Sequence, residues 1–150
     1  MNTSLLATAP APERDLAQRH QDAAATLCKR RAELNLAVAE RAAEPLRIEL
    51  YVLTRPGGDP APQAAELDRL AALSSWEITG RHTDDTGDSD PAFRHGWARA
   101  VRACGPGRAH GIAAVSQVAV SPHADWYSQA LDQLHTAGAG LYLLRPETHL

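Results

Sequence analysis

Between Leu46 and Pro146 the chain alternates short apolar runs with longer amphipathic ones, and Pro, Gly, Asp and Ser mark the boundaries. No other feature of the sequence constrains the fold as strongly. "LRIELYVL" (46–53), "WEITGRHT" (76–83), "GIAAVSQVAV" (111–120) and "GLYLLRP" (140–146) have the length and composition of strands. Between them "PAPQAAELDRLAALSS", "PAFRHGWARAVRAC" and "SPHADWYSQALDQLHTA" read as helices. Asp90 with Pro91 and Ser121 with Pro122 are cap and first-turn pairs, and Gly138 closes the last helix. Strands joined through helices pair in parallel, because antiparallel neighbours need only a short hairpin. The expected fold is α/β: a four-stranded, mostly parallel sheet flanked by helices. Trp76, Trp97 and Trp126 are expected to anchor its core.

A long segment precedes this unit. Residues 1–12, with Pro10 and Pro12, read as a flexible N-terminus, residues 13–45 as a helical extension and residues 46–150 as the α/β domain. From Glu13 to Glu44 there is no Pro or Gly, and Ala, Leu, Arg, Glu and Gln dominate. Leu16, Leu27, Leu34 and Val38 form a thin apolar stripe, while Arg30, Arg31, Glu33, Glu40 and Arg41 keep the other side polar. Such a stripe suits one flat surface or a second copy of the helix, and Leu27 and Leu34 stand one heptad apart. A homo-oligomer formed through this helix is therefore an expected assembly.

Charge and composition narrow the partners. With 15 Lys and Arg against 18 Asp and Glu, the net charge of −3 gives no general attraction to nucleic acid. No apolar run approaches the roughly 20 residues of a membrane span, and the N-terminus lacks the pattern of a secretion signal. A cytoplasmic chain with no membrane partner is expected. Lys29, Arg30 and Arg31 form the one basic cluster, so any DNA association is expected to be weak and non-specific. A protein partner is left unidentified. Cys28 and Cys104 lie in different kinds of segment, outside any CxxC pattern, and read as two reduced thiols.

The order of short motifs is more specific. "YVLTR" ends the first strand, Gln63 and Leu67 lie in the first helix, and "SWEITG" opens the second strand. "DDTG" follows in the loop, "RHGWARAV" in the second helix, "GIAAVSQ" in the third strand and "GAGLYLL" at the end. In this order and spacing, from about Leu46 to Arg145, the chain resembles the N-terminal domain of the serine recombinases, the resolvase and invertase family. That resemblance implies a resolvase-like fold and, for active members, attack on DNA by a serine surrounded by arginines that neutralise the scissile phosphate.

Carried over residue by residue, the resemblance implies an emptied active site. The family's YxRxS strand end falls on Tyr51, Val52, Leu53, Thr54 and Arg55, so the nucleophile position holds Arg55 and the arginine position Leu53. The family's DRLxR motif falls on Val118 to Pro122, without its acid or its arginines; only Arg94 matches an arginine of the phosphate cluster. Thr54 offers a hydroxyl one residue early, but the missing positive charge would still leave the transition state unsupported. No catalytic residue is assigned. In the family a long helix and a DNA-binding domain follow the domain, whereas here the helix precedes it and the sequence stops at Leu150, so sequence-specific DNA binding has no evident carrier.

Other constellations are weaker. His82 with Asp84 and Asp85, and the separate His110 and His123, show no HxH, HExxH or HxxxH spacing, so no metal site is assigned. "DDTGDSD" lacks the glutamate of a calcium loop and reads as a solvated turn. "TRPGGD" is neither a dinucleotide fingerprint nor a Walker loop, and Ser116 and Ser121 lack the GxSxG elbow of a hydrolase. No cofactor is expected. The leading expectation is a catalytically inactive, recombinase-like binding and assembly module. The alternative is an enzyme that holds a small phosphate or nucleotide ligand at the sheet edge near Arg55, Arg94, His123 and Thr54.

Overall fold

A computed structural model describes residues 11–149, so most of the expected flexible N-terminus lies outside the described residues. Ala11 and Pro12 already belong to the first helix. The chain runs through α1 (Ala11–Arg41), β1 (Arg47–Leu53), α2 (Ala61–Ser74), β2 (Glu77–Asp84), α3 (His95–Arg102), β3 (Gly111–Ala114), α4 (Ala124–Ala137) and β4 (Gly140–Leu143), with short 3-10 turns at Pro91–Phe93 and Gln117–Ala119. The four strands form one all-parallel sheet in the order β2-β1-β3-β4. The α/β architecture expected from the alternation is the one observed.

Burial explains the strand types. β1 is central and buried on both faces, so it reads as a continuous apolar run. Its one acid, Glu49, is held by the ring of His82 at 2.8 Å and by the Thr79 hydroxyl. Thr79 occupies a bulge between the Ile48–Ile78 and Glu49–Gly80 pairs. A Cβ at Gly80 would come within 2.8 Å of the Glu49 carboxyl carbon, which accounts for the glycine.

The helices divide between the faces. Tyr51 meets Trp97 of α3 edge-on at 5.2 Å, and the Trp97 indole donates to Gln133 of α4 at 3.1 Å, so α3 and α4 share one face. Arg81 points from β2 to Asp68 of α2 at 2.7 Å and marks the other. Of the three tryptophans, Trp97 is fully buried, Trp76 packs against Tyr142 at 5.3 Å, and Trp126 packs against His123 at 4.6 Å.

Several expected elements are shorter, and β4 ends at Leu143 rather than Pro146. The helix expected at 91–104 breaks at Arg94, whose backbone is extended, because Asp84 caps the chain anew at Gly96 and Trp97. The strand expected at 111–120 ends at Ala114. Its pairing with β1 stops at Ala113, and beyond that apolar sequence alone does not hold an extended chain. α4 begins at Ala124 rather than at the expected Ser121 cap; the Ser121 hydroxyl accepts instead from His123 N–H at 3.0 Å. Gly138 closes α4 in the left-handed conformation, as expected.

α1 is one 31-residue helix laid against β4 and α4. Val38 is buried, and Leu27 and Leu34 pack against the core, which is the flat-surface option for the apolar stripe. Polar side chains do much of the docking. Asn35 imitates a strand, giving its amide to Leu141 O and accepting from Leu141 N–H, both at 2.9 Å. The edge of the sheet is thereby covered. Arg30 bonds Ser128 Oγ at 2.6 Å and Asp132, and Arg31 bonds Glu147 at 2.7 Å, so two members of the basic cluster face the protein.

Candidate functional site

The C-terminal edge of the sheet is built by three local devices. Parallel pairing continues past β1, with Thr54 N–H donating to Asp84 O and Gly87 N–H to Thr54 O, each at 2.9 Å. Arg55, Pro56, Gly57 and Gly58 then form a tight turn closed by Gly58 N–H to Arg55 O at 2.9 Å. Proline at the second position and Gly57 at φ +76° are the residues a type II turn requires. Thr54 is consequently buried in the extended pairing, and Arg55 is the first side chain free of it.

Asp84, at the end of β2, organises the neighbouring helix. Its carboxylate accepts from Gly96 N–H and Trp97 N–H, each at 2.9 Å, and from the Tyr51 hydroxyl at 2.8 Å. It therefore meets the positive end of α3 with an anion. A Cβ on Gly96 would lie 2.8 Å from that carboxylate, which is why "RHGW" carries a glycine. Burial, helped by the bond to Asp84, raises the Tyr51 pKa and keeps the phenol neutral.

Arg94 turns inward, and only 1% of its surface is exposed. It donates to Val120 O at 2.6 Å, to Ser89 Oγ at 3.1 Å and to Ser89 O, bracing the acidic loop against the segment after β3. His123 lies beyond it, half-exposed, paired with Asp88 at 2.9 Å and packed on Trp126. Arg94 and His123 are thus each held by their own partners, and of the three only Arg55 lines the cleft between β1 and β3.

A cleft of about 360 Å³ opens where β1 and β3 diverge, and its walls include Leu53, Thr54, Arg55, Gln63, Ser116 and Arg145. Arg145, which motif reading missed, stands at the end of β4 and pairs with Glu66 at 3.0 Å. Gln63 donates to Leu53 O at 2.9 Å, and its Oε1 is buried with no partner among the described residues. Its place in the first helix was legible; its use on the cleft wall depends on the fold. His82 and Asp84 are each held by protein partners, Glu49 and the start of α3, rather than by one another. His110 accepts from Arg47 N–H at the opposite edge of the sheet. Burial and the neighbouring Arg47 and Arg41 lower its pKa.

Sheet order, parallel strands and helix placement define a resolvase-like domain, the fold of serine recombinase catalytic domains. No protein-family model and no curated protein sequence matches the chain, but solved structures do. The C-terminal catalytic domain of ISC1926 TnpA, an IS607-like serine recombinase, superposes with a TM-score of 0.56 at 12% identity, over 67% of this chain and 72% of that one. The N-terminal catalytic domain of TP901-1 integrase gives a TM-score of 0.57 at 14% identity, over 65% of this chain and 76% of that one. Among the described residues no helix is long and apolar enough to cross a membrane.

Proposed function

We propose that this chain is a catalytically inactive, serine-recombinase-like domain that acts as a binding and assembly module. The observation that carries the reading is Arg94: the one arginine matching the family's phosphate cluster is buried and bonded to Ser89 and Val120 O. To meet a phosphate it would have to abandon the loop it supports. Arg55 stands at the nucleophile position, and a guanidinium that stays protonated cannot attack phosphorus. Thr54, the nearest hydroxyl, is buried within the strand pairing.

Assembly through α1 would use apolar groups that the core leaves open: Leu16, 50% exposed at the N-terminal end of the stripe whose other members face the core, and Leu36, 60% exposed on the opposite side of the helix. DNA association, if it occurs, is weak, since Arg30 and Arg31 are engaged by α4, β4 and Glu147.

The test is incubation with supercoiled plasmid and with a nicked duplex that traps covalent intermediates, read on denaturing gels. No nick and no adduct are expected, and Arg55→Ser should be equally inert because Leu53 and the Val118–Pro122 segment supply no charge. Covalent capture by the unaltered chain would overturn the inactive reading. Sedimentation that finds only monomer at high concentration would remove the assembly role.

A further inference from the structure

The cleft has a ligand chemistry that recombination does not use. β1 leads into α2 on one face of the sheet and β3 into α4 on the other, so the connections diverge around the β1–β3 boundary. Open parallel sheets hold their ligands at such switch points. A volume of about 360 Å³ lies within the range of small-molecule sites.

Its polar groups are incomplete in a particular way. The Leu53 carbonyl can only accept, so its bond with Gln63 fixes which end of the amide faces the strand and leaves the buried Oε1 without a donor. A ligand N–H would complete it. Among the described residues the Arg55 guanidinium has no hydrogen bond or ion pair, and the Ser116 hydroxyl has no partner. Arg145 adds a second cation, positioned by Glu66. Val118 and Pro122 supply apolar wall, and Val118 is 49% exposed. An anion, an N–H donor and a flat or apolar body are thus called for within one small volume.

We propose that this cleft binds a nucleoside monophosphate: Arg55 takes the phosphate, Gln63 Oε1 accepts from an amino group of the base, and Val118 and Pro122 cover the ring. The proposal rests on the reading of the chain as a non-catalytic binding module and names what that module holds. Duplex DNA is a poor occupant. Its base edges are presented in a groove rather than inserted, so a paired base could not place its ring and amino group within the cleft.

The experiment is calorimetric titration of the whole chain with AMP, GMP, adenosine, inorganic phosphate and a short duplex at physiological salt. One of the two nucleotides is expected to bind at least tenfold more tightly than inorganic phosphate, and AMP at least tenfold more tightly than adenosine. Arg55→Gln, at an exposed position, should weaken the preferred nucleotide at least tenfold. Gln63→Leu should weaken it several-fold without changing phosphate, with circular dichroism reporting whether that variant folds. Binding of neither nucleotide at millimolar concentration, nucleotides no tighter than phosphate, or an unchanged affinity in Arg55→Gln would each overturn the ligand assignment. Displacement of nucleotide by duplex would overturn it as well. Covalent capture of that duplex would in addition overturn the non-catalytic reading, whereas absent nucleotide binding without capture overturns the ligand alone.

Discussion

The seam between α1 and β4 and the cleft between β1 and β3 draw on the same residue types and treat them oppositely. In the seam Asn35 satisfies both backbone groups of Leu141, and Arg31 reaches Glu147 and Leu141 O. Tyr127 adds a second bond to the same carboxylate oxygen, at 2.6 Å. Glu147 Oε1 is the exception, buried without a partner among the described residues. In the cleft, Arg55, Ser116 and Gln63 Oε1 have none. A buried polar group left unpaired costs about 1–3 kcal/mol, whereas a paired one contributes modestly to stability. The seam is thus built to hold the chain together, and the cleft keeps its groups available to something else.

Arg94, buried and outside the lining of the cleft, belongs with the seam in kind, and it gives the largest expected effect. Arg94→Ala strands the carbonyl of Val120 and removes the brace on Ser89. A loss of about 3 kcal/mol is expected in urea unfolding at neutral pH. Arg94→Lys should recover only part of it, because an ammonium cannot span the same fork of acceptors. A loss under about 1 kcal/mol would mean that the loop does not depend on the guanidinium, and the contrast between the two kinds of arginine would fail.

Glu147 tests the seam through pH. Burial opposes its ionisation, but the bonds from Arg31 and Tyr127 outweigh burial and hold its pKa below the usual carboxylate range. A depressed folded-state pKa contributes stability that is fully present above the unfolded value, about 4.3, and is lost as pH falls through the folded one. Glu147→Gln should therefore cost about 2 kcal/mol at pH 7, and the gap between variant and wild type should narrow as pH drops below about 4.3. A gap that stays constant through acid pH would assign the effect to packing rather than charge.

Features set by neighbours in sequence were the legible ones. Strand–helix alternation and the Gly138 cap each depend on a few consecutive residues, and the position of Arg55 at the strand end followed from the motif order. The Asn35–Leu141 bonds join residues 106 apart, and an exposed-looking asparagine on a helix carries no sign of a strand partner. The thin stripe on α1 was legible too. What it could not reveal is that arginines and an asparagine complete the docking. For the same reason Arg94 read as a phosphate ligand: its motif position is local, whereas the carbonyl that claims it, Val120 O, comes from a segment expected to be strand.

Arg55 gives the smallest expected effect on stability and the sharpest contrast. Its side chain is exposed and has no partner among the described residues, so Arg55→Ala removes no native bond. The turn that carries it is closed by backbone atoms and by Gly57, which the substitution leaves intact. Urea unfolding of Arg55→Ala should fall within about 0.5 kcal/mol of wild type, as for most exposed sites. A cost near that of Arg94→Ala would place Arg55 among the structural arginines and would leave the cleft without a free cation. A neutral result, set beside a large loss for Arg94→Ala, separates the arginine that holds the edge together from the one the edge presents.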